Sequence, residues 1–147
     1  MNYTQAIPFF TEKELACQGT GVIKMDIHFA VHFPLLRLKW DKPLIPNSVC
    51  RTPQHNEDEG GHPRSMHLTD NPEWPTDGTA AGDVRWRDWP VDEKLSFAKL
   101  AWSLGWSVGL HDGFCHVDRR VDFGLQQAVF IYGAWSDHFD PDEVMAG

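Results

Sequence analysis

Apolar positions recur at helical spacing in two stretches of the chain. Residues 26–40, DIHFAVHFPLLRLKW, place Ile27, Ala30, Val31, Leu35 and Leu38 near one helical face. Pro34 lies inside that stretch, and an interior proline costs a helix about 3 kcal/mol. The pattern therefore predicts a helix that kinks at Pro34 or begins afresh there. Residues 91–104 predict a second helix: Pro90 and Asp92 open it, Leu95, Ala98 and Trp102 mark its face, and Gly105 stops it. In PFFTEKELACQGT (8–20), Thr11 and Glu14 have capping-box spacing, so a turn and a short helix are expected.

Three later segments, WSVGL (106–110), FCHVD (114–118) and QAVFIYG (127–133), have strand composition. KPLIPNSVCR (42–51) reads as a short strand entering a loop. Residues 52–83 are rich in Gly, Pro, Asn, Asp and His and show little periodicity. Loops of that length in a compact domain are functional or disordered, and this one carries most of the candidate ligands, which favours function. The tail after Trp135 is acidic and polar, and is expected to be peripheral. Without a repeat or an interdomain linker, the 147 residues suit one domain, 1–147.

Charge and cysteine usage narrow the function classes. The net charge is -8, with 21 acidic against 13 basic side chains. Nucleic-acid affinity comes largely from clustered Lys and Arg, and the chain has no basic stripe, so no nucleic-acid partner is expected. No apolar run approaches the roughly 20 residues of a spanning helix, so membrane insertion is not expected. The N-terminus lacks a basic start followed by a long apolar stretch, and no secretory signal is read there. Cys17, Cys50 and Cys115 are widely spaced and odd in number, which suits reduced thiols in a protein made in the cytoplasm.

Chemistry-bearing residues concentrate in SMH (65–67), AAGDV (80–84) and FCHVD (114–118). A catalytic zinc typically takes three ligands from His, Asp or Glu and leaves a fourth position for water. Two imidazoles and one carboxylate leave the metal a net +1 charge, and zinc lowers the pKa of coordinated water from about 15.7 towards 7. In a strand, residues two apart share a face. Asp118 therefore points with His116 and can orient it, while Cys115 points away. His28 and His32 have i, i+4 spacing but lack the glutamate of H-E-x-x-H, and are read as outside the site. Composition alone does not choose among the remaining acids and histidines.

The order of short motifs does choose. The chain shows Glu14-Leu15-Ala16-Cys17, Leu36-Arg37, Val49-Cys50-Arg51, His55-Asn56, Gly60-Gly61, Ser65-Met66-His67, Ala81-Gly82-Asp83 and Phe114-Cys115-His116-Val117-Asp118. This series, over residues 10–120, resembles the zinc D-Ala-D-Ala carboxypeptidases of peptidase family M15, especially the short phage and prophage members. The resemblance implies Zn2+ on His67, Asp83 and His116, with Arg51 and Ser65 facing the substrate. It implies a small α+β domain of the hedgehog and DD-peptidase type. In that domain a small antiparallel sheet carries His116, helices pack on one face, and the 52–83 loop closes over the metal. A planar guanidinium such as that of Arg51 suits a carboxylate or a developing oxyanion.

Two departures from the family pattern matter. The family's H-x-x-G-x-A-x-D spacing is exceeded here, since His67 and Asp83 are 16 positions apart. The excess is an insertion beside the metal, with Trp74 positioned to shape access and with Asp70 and Asp77 as rival ligands. Many members also place an acid three positions before the last His, where this chain has Gly113. His111 or Asp112 is then expected to act as the general base, His111 first, with Glu57, Asp58 and Glu59 on the preceding loop next in line. A histidine's unperturbed pKa of about 6.5 suits proton shuttling.

The expected activity is zinc-dependent hydrolysis of a peptide bond in peptidoglycan stem peptides, of carboxypeptidase or endopeptidase (endolysin) type. The protein is expected to act as a monomer, in the periplasm or cell wall after release, or from a virion. The alternative is a non-catalytic zinc-binding virion or assembly module that kept the fold and lost the base.

Overall fold

The alternation in FCHVD builds the centre of the molecule. In the computed structural model, which describes residues 1–136 and 139–146, these residues form a strand with Cys115 and Val117 buried on one face and His116 and Asp118 on the other. The elements run β1 (Asn2–Tyr3), α1 (Glu12–Leu15), β2 (Met25–Asp26), α2 (Ile27–Trp40), β3 (Pro46–Ser48), α3 (Pro53–Asp58), β4 (Ala81–Arg85), α4 (Val91–Ser103), β5 (Ser107–Leu110), β6 (Phe114–Asp118) and β7 (Val129–Ile131). Short 3-10 turns, Arg120–Phe123 and Pro141–Val144, flank β7. Strands β3, β4, β6, β5 and β7 form one five-stranded sheet in that order, and β1 pairs β2 separately. Every pairing in the large sheet is antiparallel except the edge pair β5·β7, which is parallel. The fold is α+β.

One face of the sheet is apolar. Val84, Val108, Leu110, Cys115 and Val117 join Phe29 and Phe33 of α2 and Phe97, Ala98 and Ala101 of α4 in a single buried cluster. Gly82 of β4 faces the same way. A Cβ there would meet the Phe33 and Phe29 rings at 3.2 and 3.4 Å, so the glycine lets α2 seat directly on the strand. Trp106 closes the cluster edge-on to Phe29, with ring centroids 5.9 Å apart.

Helix α2 does not begin afresh at Pro34. It runs unbroken through the proline, capped at its start by Asp26, whose carboxylate accepts the His28 amide at 2.9 Å. Packing of the buried Phe29, Phe33 and Leu36 against the core outweighs the local penalty. The long 52–83 segment is also more ordered than its composition suggests. It contains α3, whose Thr52 cap accepts the His55 amide, and a backbone bridge that ties Arg51 to residues 67–69. Nor is the tail peripheral. Val144 is 1% exposed, and Trp135 and Phe139 pack against the main core. All three cysteines are buried free thiols.

The polar face holds one cross-strand row, in which Ser48, Asp83, His116, Gly109 and Phe130 stand side by side on β3, β4, β6, β5 and β7. Gly109 keeps the row open: a Cβ there would lie 2.8 Å from the Phe130 ring and 3.0 Å from the His116 Cβ. Gly109→Ala should therefore destabilise the fold by about 1–3 kcal/mol, the usual range for overpacking. Urea unfolding checks this, and an unchanged midpoint would show that Phe130 yields freely.

Candidate metal centre and cleft

Three polar side chains meet over the middle of that face. The Asp83 Oδ1 atom lies 3.1 Å from His67 Nε2 and 3.0 Å from His116 Nδ1. The three donor atoms fall within 4.8 Å of one another, and all three residues are buried. Sheet register delivers two of them, since Asp83 and His116 are direct partners in the β4·β6 ladder. His67 comes from the loop and is fixed there by backbone and side-chain bonds, among them one from the Arg51 amide to its carbonyl at 3.0 Å. Its amide donates to Ser65 Oγ at 3.2 Å, its carbonyl accepts from Thr79 Oγ1 at 2.8 Å, and its Nδ1 meets the Val49 carbonyl at 2.8 Å.

The outer bonds decide what the inner atoms offer. A carbonyl oxygen only accepts, so His67 Nδ1 carries a proton for Val49 and leaves Nε2 facing the carboxylate. On the other side, His116 Nε2 lies 2.8 Å from Asp118 Oδ2, which leaves Nδ1 facing Asp83. Asp118 is itself gripped by Arg120, through Nε at 2.9 Å and Nη2 at 2.7 Å. Neutral imidazoles so oriented aim two lone pairs and a carboxylate oxygen at one point, where a cation could be held. The donor set suits a metal ion of the zinc class.

In protein stripped of metal, protons must serve instead. Burial opposes charge on His116, but the hydrogen bonds to Asp118 and Asp83 outweigh it and raise its pKa to about 9. Burial likewise opposes ionisation of Asp83, yet the charges of His67 and His116 hold its carboxyl far below its usual 3.8. Asp118 is held low against its own burial by Arg120 and His116.

The expected substrate residues line the cleft beside this group. A cavity of about 580 Å³ is walled by Arg51, His55, Glu59 and Asp83. A second, of about 390 Å³, is walled by His62, Arg64, Ser65, Trp74, His116 and Arg120. Tyr132 lines both, its ring stacked on His116 at 4.5 Å. Burial, with Asp83 nearby, pushes its phenol up. Arg51 donates through Nη1 to Asn56 Oδ1 at 3.0 Å, and Asn56 in turn donates to the His62 carbonyl. Gly61 leaves the room this needs, because a Cβ there would run into the Asn56 side chain. The His-Asn and Gly-Gly motifs thus aim Arg51.

Other residues lie elsewhere. Asp70 pairs with Lys24 at 2.6 Å and Asp77 with the N-terminal amine at 2.8 Å, so neither rival joins the group. The insertion does contribute Trp74 to the cleft, pinned by its Nε1 to the Arg64 carbonyl at 3.0 Å. The His28 ring stands edge-on to Phe123, outside the group. The His111 Nδ1 accepts the Gly113 amide at 2.9 Å, and its ring stacks on Phe114 at 4.1 Å. Phe114 then meets Tyr132. The Asp112 carboxylate accepts from both the amide and the hydroxyl of Ser136. At Gly113 a Cβ would lie 2.5 Å from Arg87 Nη2, so a guanidinium covers the position of the missing acid. Asn56, Arg120 and Tyr132 were not singled out from sequence. Asn56 had a signal in its motif, and the other two had none.

The pKa directions set a pH dependence for metal-stripped protein. The charged form of His116 stabilises the fold fully below the usual 6.5, and this contribution is lost as pH rises through about 9. Asp83 and Asp118 contribute above the usual carboxylate range and lose that contribution as pH falls below it. Urea unfolding from pH 4 to 10 should show stability declining on the alkaline side, with zinc flattening the decline. Stability that rises from pH 7 to 9 without metal would contradict the arrangement.

Comparison with known proteins agrees with the motif order. The peptidase M15 family model matches residues 8–118, well over half of the chain. No curated protein and no solved structure matches. The chain belongs to the peptidase M15 family, and is a peptidase by that membership.

Proposed function

We propose that the protein is a zinc peptidase that hydrolyses a peptide bond in peptidoglycan stem peptides. The observation that carries this reading is the convergence of His67 Nε2, Asp83 Oδ1 and His116 Nδ1 between two cavities. Zinc held there would supply Lewis acidity, polarising a carbonyl and lowering the pKa of a water towards 7. The remaining work falls to the chain. Arg51, already aimed by Asn56, offers further donors to a substrate carboxylate or to the carbonyl oxygen as it becomes anionic. The walls carry Arg51, Arg64 and Arg120 beside Glu59, Asp83 and Asp118, and Arg64 and Arg120 are already paired with Glu73 and Asp118. Arg51, whose described bonds are to Asn56 and Ser48, is left to meet a carboxylate of an acidic peptide, as wall stem peptides are. On this reading the protein meets its substrate in the cell wall, after release from the cytoplasm or from a virion.

Hydrolysis also needs a group to take a proton from the attacking water and return it to the leaving amine. His111 and Asp112 are the first candidates from sequence, with Glu57 to Glu59 next, and the carboxylate that shares a cavity with Asp83 and Arg51 is Glu59. We assign Glu59 the role, with His111 as the alternative. The non-catalytic reading draws on Gly113 and its cover by Arg87, which leave the family's usual acid position without a carboxylate.

Two measurements test this. Metal analysis should find one zinc per chain, lost in His67→Ala, Asp83→Ala and His116→Ala and kept in Asp70→Ala and Asp77→Ala. Zinc retained by Asp83→Ala would move the carboxylate ligand elsewhere. Mass spectrometry of purified peptidoglycan should then show released stem-peptide fragments. Glu59→Gln should slow release about a hundredfold or more with zinc intact, as loss of a general base does, while Asp112→Ala stays within a few-fold. A comparable loss in His111→Ala alone returns the role to the turn before β6. A zinc-loaded wild type that releases nothing sinks the enzymatic reading.

A further inference from the structure

Tyr132 lies outside the segment that the family model matches, residues 8–118. It follows β7, and its amide continues the β5·β7 ladder by donating to the Leu110 carbonyl at 2.8 Å. Two residues along the same strand, Phe130 stands in the row with Gly109 and His116, so Tyr132 projects from the same face. Its ring lies parallel to that of His116, 9° from coplanar. The stack fixes the ring at the divide between the two cavities, each of which it lines. The hydroxyl bonds to no described residue, and the charges it senses are those of Asp83, Arg51 and Asp118. The residue is only partly buried and lines both cavities, so the cleft gives its hydroxyl room to meet a bound peptide.

We infer that Tyr132 is a catalytic residue: its hydroxyl donates a hydrogen bond to the scissile carbonyl oxygen, across from Arg51. A phenol with an ordinary pKa near 10 is protonated at neutral pH, so it can donate without a preceding ionisation. It keeps its proton throughout. The bond strengthens as the carbonyl oxygen gains negative charge, so the contribution appears in turnover more than in ground-state binding. The position suits this. A peptide that spans both cavities must carry its scissile bond past the point where Tyr132 and the His67–Asp83–His116 group face each other. Arg51 and Tyr132 would then approach the oxygen from two different elements, the end of β3 and the end of β7. This inference rests on the peptidase reading for its rate effect, but not for the contact itself.

The test compares zinc-loaded wild type with Tyr132→Phe, which keeps the ring stack and removes an oxygen that bonds to no described residue. Two readouts are used: hydrolysis of purified stem peptide, and calorimetric affinity for a phosphinate peptide whose tetrahedral oxygens mimic the addition intermediate. Zinc content is measured in both proteins. Loss of one oxyanion donor predicts a fall in kcat of about a hundredfold or more. KM should stay within a few-fold, and phosphinate affinity should weaken in parallel with kcat. Unchanged kcat and unchanged phosphinate affinity overturn the assignment. So does a fall in KM-dependent terms alone, which would mark a merely structural wall. If wild type cleaves no wall peptide, the peptidase reading fails, while the phosphinate comparison still decides for or against the hydroxyl contact. A wild type that does not bind the phosphinate overturns it as well.

Discussion

A carboxylate that two imidazoles share, with water largely excluded, governs the rest of this molecule. Asp83 is 5% exposed and stays ionised only because His67 and His116 face it. Burial of an unpaired carboxylate is costly, so the two histidines that face Asp83 serve the fold as much as any chemistry. The demand propagates outwards. His67 must keep its far nitrogen on the Val49 carbonyl, and His116 must keep its own on Asp118, which needs Arg120. Each further bond restricts a ring that would otherwise rotate. The result is a pre-set group of donors held by backbone and by ion pairs rather than by flexible loops.

The sheet makes that group affordable by separating its two faces. Valine, leucine and cysteine on one side bury against α2 and α4, while the acids and imidazoles on the other side meet aromatic rings, polar groups and a small apolar cluster around Met66 and Ala81. Two glycines mark the places where the separation would otherwise fail. Gly82 admits the Phe33 ring on the apolar side, and Gly109 admits Phe130 beside His116 on the polar side. A sheet can hold a charged cluster at its centre only if the neighbouring strands leave side-chain room, and these glycines provide it.

Much of this is legible in the residues. Period-two alternation in FCHVD places His116 and Asp118 together and Cys115 opposite, and the α4 boundaries follow from its opening Pro90 and its closing Gly105. The ordered motifs pick out His67, Asp83 and His116, which the fold brings into contact. What escaped was tertiary in origin. AAGDV is too short and too rich in small residues to announce β4, whose identity comes from its pairing with β6. Pro34 argues locally against the helix that Phe29, Phe33 and Leu36 stabilise globally. The acidic tail hides Val144 behind charged neighbours. Tyr132 gives no signal, because its importance lies in the ring beneath it.

The parallel edge strand has an evolutionary consequence. β7 joins the sheet through backbone bonds to β5 alone, and it carries the Phe130 and Tyr132 side chains to the cleft from beyond the family-matched segment. Main-chain pairing is indifferent to side-chain identity, so this edge can exchange its residues without disturbing the ladder between β4 and β6. The His116 and Asp83 pair and the aromatic wall of the cleft are therefore mounted on separate strands. An edge strand held in this way can reshape one wall of the cleft while the inner ladder keeps Asp83 and His116 in register.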